Sequence, residues 1–174
     1  MIKSRKVHLV YLTVACTIGF LGVLASTGLF EATFRWDFYI YYTNVSNYFC
    51  VAVMLLELLH VLRSKEDGYI QAHPKLKFMG LVVILLTFLM FNVIMAPSKS
   101  LSYLLSFRSL SLHVLIPILY ILDWFLFYER KKTDWKYPLL SLTFPISYMA
   151  FVLLHAAMLK FDPSIPWMIH SLKD

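Results

Sequence analysis

Long apolar runs, separated by short polar segments, follow one another along the whole chain. Each run is close to the roughly 20 residues that a helix needs to cross a hydrocarbon core. The runs are Val7–Phe30, Phe38–Leu62, Phe78–Ala96, Ser109–Tyr128 and Tyr137–Leu159. This pattern predicts an all-α fold, a polytopic transmembrane helical bundle with five spans, because only helices or closed barrels satisfy backbone hydrogen bonds in lipid.

The segments outside these runs are short, and they predict a single transmembrane domain over residues 1–174. The first run is longer than the apolar core of a signal peptide, so it is expected to remain as a helix. The last segment, FDPSIPWMIHSLKD, is interrupted by Pro163 and Pro166. It is too short to cross the bilayer, and we expect an interfacial tail with Trp167 as an aromatic anchor.

Composition agrees with a membrane protein. Of the 174 residues, 60% are hydrophobic and 15% are charged, and the mean hydropathy is +0.69, whereas soluble domains are about a quarter charged. Cys16 and Cys50 lie within apolar spans and lack metal-ligand spacing. The sequence therefore predicts no disulfide framework, no metal site and no cofactor.

The basic residues predict the orientation of the bundle. If the amino terminus is cytoplasmic, eleven of the sixteen lie on that side, as the positive-inside rule expects. The five on the outer side are Arg35, Lys99, Arg108, Lys160 and Lys173. The net charge of +6 is thus explained by topology, and nucleic acid is not an expected partner. The tail after residue 160 would face outward.

Polar side chains form one layer near the outer ends of the predicted spans. Thr43, Asn92, His113 and His155 each lie five residues from the outer end of a different span, which is about 7–8 Å along a helix. Such groups usually turn toward the bundle interior or a wet cavity. Taken singly, a Thr, Asn or His in a span is usually structural, bonding a carbonyl or a neighbouring helix.

Together, these side chains contain the parts of a nucleophilic site. Thr43 would attack a carbonyl, with His113 or His155 as the base. The amides that would bind the developing oxyanion are Asn44, Asn47 and Asn92. Arg108, about one and a half turns beyond His113, would hold a substrate carboxylate or phosphate, or would simply extend to the lipid headgroups. No Asp or Glu lies at this depth to orient a histidine, so a full triad is not predicted.

A second polar layer is predicted near the cytoplasmic face. Glu57 and His60 share a helix face at i,i+3, and Asp123 lies at a similar depth with Lys136 close by. We interpret this layer as a structural ion-pair clamp.

Two short motifs resemble the androgen-induced protein family of multi-pass membrane proteins, particularly its bacterial relatives. They are FYIYYTNVSNYF and LHVLIPILYILDWFLF, and the resemblance covers roughly residues 38 to 150. Animal members are threonine hydrolases that cleave fatty acid esters of hydroxy fatty acids. The resemblance implies Thr43 as nucleophile and His113 as base, with Pro117 and the Asp123–Trp124 pair completing the pattern. Its bacterial branch implies an inner-membrane location, and the family usually has six helices where this chain predicts five.

The sequence thus favours an intramembrane hydrolase of amphiphilic lipid esters, whose partner would be a membrane lipid or lipid-like ester. A homo-oligomer is compatible with this interpretation. The leading alternative is a small-molecule or lipid-binding transporter or receptor that uses the same outer layer. Between the two layers the sequence offers little polarity beyond Ser141, Thr143 and Ser147, which favours a closed pocket over a conduit. A scaffold without a ligand is the third interpretation.

Overall fold

The computed structural model describes residues 2–31, 34–35, 38–64, 72–129 and 134–161, with the side chains of 31 and 159–161 left out. It is 83% helical, and the described residues form no strand. Five helices are long and apolar enough to cross a membrane, which confirms the predicted fold class. They are α1 (Arg5–Ser26), α2 (Tyr42–Arg63), α3 (Pro74–Ser98), α4 (Phe107–Phe127) and α5 (Tyr137–Met158). The predicted interfacial tail lies outside the described residues.

Successive helices run in opposite directions. The Arg5 Nε donates to the Val61 carbonyl at 3.1 Å, which joins the start of α1 to the end of α2. At the other end of the bundle, the hydroxyls of Ser26 and Tyr48 lie 2.5 Å apart. The end that contains Arg5 is named the inner end, and the end that contains Ser26 the outer end.

Helix α2 begins later than the hydropathy pattern predicts. Phe38 belongs to a turn and the helix starts at Tyr42, so the predicted start at Phe38 is wrong. The Asn44 amide donates to the Phe38 carbonyl at 2.7 Å, and this local hydrogen bond competes with helix continuation. Thr43 therefore lies in the first turn of α2, not five residues inside it.

Helices α1 to α4 form the core, and small residues let them approach closely. A Cβ on Gly19 would lie 2.7 Å from Val51, and a Cβ on Gly22 would lie 2.9 Å from Ile116. Helix α5 is peripheral, since only 11% of its span is buried, against 50% for α4. Most of the surface of α5 therefore faces away from the other helices and is available to lipid.

Two π-helical segments interrupt the helices near the outer end. Met90–Met95 forms the first in α3, and Ser111–Leu115 forms the second in α4. A π segment contains wider turns than an α-helix and often marks a functional position. Asn92 and His113, two members of the outer polar layer, lie in these segments.

Candidate functional site

A cavity of about 280 Å³ opens at the outer end, between α2, α3 and α4. It contains four of the residues that the sequence placed in the site, namely Thr43, Asn44, Arg108 and His113. The complete lining is Arg35, Tyr41, Thr43, Asn44, Phe91, Met95, Lys99, Tyr103, Arg108, Ser109, Leu112 and His113.

His113 is held in the cavity wall by stacking. Its ring lies parallel to Phe91, with 3.3 Å between centroids and 1° between planes. The side chain is 7% exposed. Its Nδ1 is fully buried and has no hydrogen-bond partner among the described residues, whereas Nε2 is not among the fully buried, unpartnered atoms. Nε2 is therefore the ring nitrogen that a ligand in the cavity would meet.

Pro117 explains why α4 changes its hydrogen bonding at this point. Proline has no N–H, so the His113 carbonyl lacks its regular i+4 donor. The Ile116 N–H bonds to the Ser111 carbonyl in the π turn, and it is not available to Leu112. Two consecutive carbonyls, those of Leu112 and His113, thus need donors from elsewhere.

Two asparagines from neighbouring helices supply these donors. The Asn47 amide donates to the Leu112 carbonyl at 3.0 Å and to the Thr43 carbonyl at 2.7 Å. The Asn92 amide donates to the His113 carbonyl at 3.1 Å and to the Phe88 carbonyl at 2.9 Å. Each amide has two N–H donors, and both are used.

The asparagines therefore divide into two groups. Asn47 and Asn92 do not line the cavity, and an oxyanion role for either would require breaking a bond to α4. Asn44 lines the cavity and uses one N–H for the Phe38 carbonyl, which leaves one donor for a ligand.

Thr43 lies beside α4 because of Asn47. The Thr43 and Leu112 carbonyls are both within 3.0 Å of one amide nitrogen, so the first turn of α2 faces the segment that carries His113. The Thr43 side chain is half-buried and lines the cavity. Among the described residues, no hydrogen bond connects its hydroxyl to His113.

His155 lies elsewhere. It is 9% exposed and sits between the rings of Tyr39 and Phe151, with centroids 6.2 and 6.1 Å away. It is absent from the cavity wall, so the structure separates it from Thr43 and leaves His113 as the histidine of the site.

Three cations line the cavity, and sequence reasoning singled out only one of them. Arg35 is anchored by its backbone N–H, which donates to the Thr27 carbonyl at 2.9 Å. The Lys99 ammonium lies 5.8 Å from the centre of the Tyr103 ring. Together with Arg108 they make the wall positive. The signal was present in the sequence, since Arg35 and Lys99 are two of the few basic residues on the outer side.

Near the inner end, four helices each contribute one charged or titratable residue to a buried cluster. This inner charge cluster consists of His8, Glu57, Lys77 and Asp123, each at most 4% exposed. The Lys77 ammonium bonds both carboxylates, and the His8 Nε2 lies 3.2 Å from Asp123 Oδ1. An ion-pair clamp is present, as predicted from Glu57 and Asp123.

The predicted partners of this clamp are wrong. His60 is half-buried and Lys136 is exposed. The residues that pair with the two carboxylates are Lys77 and His8 instead. One ligand atom from each of His8, Glu57 and Asp123 lies within 4.8 Å of the others, which is a spacing that suits a metal ion. The Lys77 ammonium already supplies a positive charge to both carboxylates, so the cluster has its cation.

Comparisons with protein-family models, with curated proteins and with solved structures found no match.

The role of Asn92 gives a testable expectation. Asn92→Ala should lower the free energy of unfolding by about 1–2 kcal/mol, because the His113 carbonyl loses its donor. In a Pro117→Ala background the cost should be smaller, since residue 117 then carries an N–H for that carbonyl. Thermal unfolding of the four proteins in detergent measures the difference. An equal cost in both backgrounds would contradict this pairing.

Proposed function

We propose that the protein is an intramembrane hydrolase of amphiphilic lipid esters, with Thr43 as nucleophile and His113 as base. One observation carries the proposal: both side chains line a single cavity, and the Asn47 amide holds their helices together at that level. The resemblance of two short motifs to androgen-induced threonine hydrolases points to the same pair of residues.

The proposed reaction starts with the Thr43 hydroxyl attacking the ester carbonyl carbon while His113 Nε2 takes its proton. The carbonyl oxygen becomes an oxyanion, which the free N–H of Asn44 stabilises. The bond to the leaving oxygen then breaks, and His113 returns the proton to that oxygen. An acyl-threonine and an alcohol result.

Water completes the cycle. It attacks the acyl-threonine carbonyl and gives a proton to His113, the bond to Thr43 breaks, and the proton returns to the threonine oxygen. The sum is one ester plus one water giving one acid and one alcohol. In the Michaelis complex, His113 and Thr43 are expected to come within hydrogen-bond reach directly or through one water, since such contacts are often long in free enzymes.

The acyl-threonine gives a direct test. Purified protein mixed with a fatty acid ester of a hydroxy fatty acid and quenched within seconds should gain the mass of one acyl chain. Peptide mapping by mass spectrometry should place that mass on Thr43 and find none in Thr43→Ala. Turnover with no covalent adduct on any residue in single-turnover experiments would contradict the nucleophilic role.

The second candidate is a lipid-binding receptor or transporter that uses the same cavity. The missing hydrogen bond between Thr43 and His113 in the described chain favours it. Against transport, the core between the cavity and the inner charge cluster contains the apolar residues Cys50, Val53, Met54 and Ile84, each at most 3% exposed. Saturable binding of the ester with no product formed would favour the receptor.

The five apolar helices make the chain a multi-pass membrane protein. We further propose that its amino terminus is cytoplasmic and that it resides in a bacterial inner membrane. The eleven-to-five distribution of basic residues supports the orientation, and the resemblance to bacterial relatives of the androgen-induced proteins supports the location.

A further inference from the structure

We propose that the outer cavity binds a phosphate monoester headgroup, so that the lipid ester is a single-chain acyl ester of glycerol phosphate. The phosphate assignment rests on the charges and donors of the cavity. The ester assignment rests in addition on the proposed function, and the experiment below separates the two.

The distribution of outward-facing cations is the first argument. The positive-inside rule disfavours basic residues at this end of the bundle. The described side chains that depart from it are Arg35, Lys99 and Arg108, and all three line one cavity. Cations that merely extended to the lipid headgroups would be spread around the rim.

These cations lack acidic partners within the described part of the chain. The ion pairs found there belong to the inner charge cluster at the other end. Among the described residues the cavity wall contains no Asp or Glu, so a bound anion would meet three cations with no carboxylate of that wall competing for them.

The start of α2 is the second argument, and it is independent of side-chain charge. The first N–H groups of a helix have no partner within the helix and carry a partial positive charge. Tyr41 is the N-cap residue of this 22-residue helix, and its side chain makes no capping hydrogen bond. The Asn44 N–H already bonds the Tyr41 carbonyl at 3.0 Å, so Thr43, which lines the cavity, is the residue whose backbone N–H this helix start adds to the three cations.

The number of positive groups favours phosphate over carboxylate. One arginine satisfies a carboxylate with two parallel hydrogen bonds, which would leave two cations unbalanced. A phosphate monoester carries a charge of about −1.5 to −2 and three terminal oxygens. It can accept from Arg35, Lys99 and Arg108 at once.

The position of the cations relative to Thr43 and His113 suggests the spacer. Arg108 precedes His113 by five residues, which is about 7 Å along the helix. An extended glycerol unit between a phosphate and an acyl ester spans a comparable distance. The phosphate would thus lie at the mouth, the ester beside Thr43, and the acyl chain among the apolar helix surfaces.

The test uses Thr43→Ala protein in neutral detergent, so that binding is measured without turnover. Titration by microscale thermophoresis compares oleoyl glycerol phosphate with oleic acid, oleoyl glycerophosphocholine and inorganic phosphate. Oleoyl glycerol phosphate is expected to bind at least 10-fold more tightly than each of the others. Arg35→Gln, Lys99→Gln and Arg108→Gln should each weaken it about 10-fold, while Arg63→Gln, an exposed cation at the inner end, should not.

Each outcome has a definite meaning. Equal affinity for oleic acid or for oleoyl glycerophosphocholine would overturn the phosphate monoester assignment, and equal affinity for inorganic phosphate would overturn the lipid source. Unchanged binding in all three cavity variants would overturn the site. If a Gln variant does not fold, the substitution that keeps the charge replaces it, namely Arg→Lys at position 35 or 108, or Lys99→Arg. That variant is expected to weaken binding less than 10-fold, and full loss would contradict a charge-based role. Tight binding combined with no turnover of this lipid by the unmutated protein would defeat the ester assignment and keep the phosphate site.

Discussion

Thr43→Ala and His113→Ala are each expected to reduce ester hydrolysis by about 10³-fold or more. Thr43→Ala removes the attacking oxygen, and His113→Ala removes the base, which alone contributes about 10²–10⁴-fold. The double variant should be little worse than either single one, because groups that act as a unit are strongly non-additive. Thr43→Ser should keep partial activity, since it keeps the hydroxyl and loses only the methyl group that restricts χ1.

Initial rates of product release, measured by mass spectrometry on purified protein in detergent, check this expectation. Thr17→Ala and His60→Ala are matched controls. Thr17 is exposed and bonds its own helix at the Thr13 carbonyl, and His60 lies near the inner end. Both controls should retain activity within about twofold. Activity that survives in folded Thr43→Ala protein would reject Thr43 as the nucleophile.

Lys77→Met should destabilise the protein more than most single substitutions, by about 3–5 kcal/mol. Without the ammonium, the carboxylates of Glu57 and Asp123 remain buried in a membrane-spanning bundle with no cation between them. Asp123→Asn should cost less than Lys77→Met, because Lys77 keeps Glu57 as a partner. The pair Lys77→Met with Asp123→Asn should cost less than the sum of the two single variants.

Unfolding in sodium dodecyl sulfate, followed by tryptophan fluorescence, measures these differences. Lys75→Met is the control, because Lys75 is exposed two residues away on the same helix, and it should change stability by less than about 0.5 kcal/mol. Turnover per folded molecule should stay within a small factor for Asp123→Asn. Loss of turnover with stability intact would place chemistry in the inner charge cluster.

Apolar length predicted the five helices, but it did not predict where α2 begins. The run from Phe38 onward is hydrophobic, so a count of residues placed the start there. The structure starts the helix at Tyr42, because the Asn44 side chain bonds the Phe38 carbonyl. A hydrogen bond from a side chain to the backbone six residues away leaves no trace in a hydropathy pattern.

The sequence identified the polar residues of the outer layer but not their division into two roles. Depth along a helix gives no angle around the bundle axis, so Asn47 and Asn92 were grouped with Asn44. Pro117 does indicate one of the structural roles, because its missing N–H leaves the His113 carbonyl without a regular donor and so predicts a polar donor on a neighbouring helix, which is Asn92. The Leu112 carbonyl that Asn47 satisfies is freed by the π turn, which the sequence pattern does not show.

The inner charge cluster was predicted in part. Glu57 and Asp123 were recognised because carboxylates are rare in spans. The apolar run begins only at Phe78, so the hydropathy pattern places Lys77 outside the span, among the eleven basic residues of the cytoplasmic side. The helix itself starts at Pro74, which puts Lys77 inside the bundle. His8 was missed because it is a single histidine near the start of a long apolar run.

The π turn in α4 sets the angular relation between the two ends of that helix. A π turn holds one more residue than an α turn, and each residue rotates an α-helix by about 100°. Asp123 must face the other helices for the inner charge cluster to form, and His113 must face the cavity ten residues earlier. Both conditions hold in one continuous helix that contains the π turn. A change of one residue in chain length between His113 and Asp123 would therefore rotate one polar layer relative to the other by about 100°.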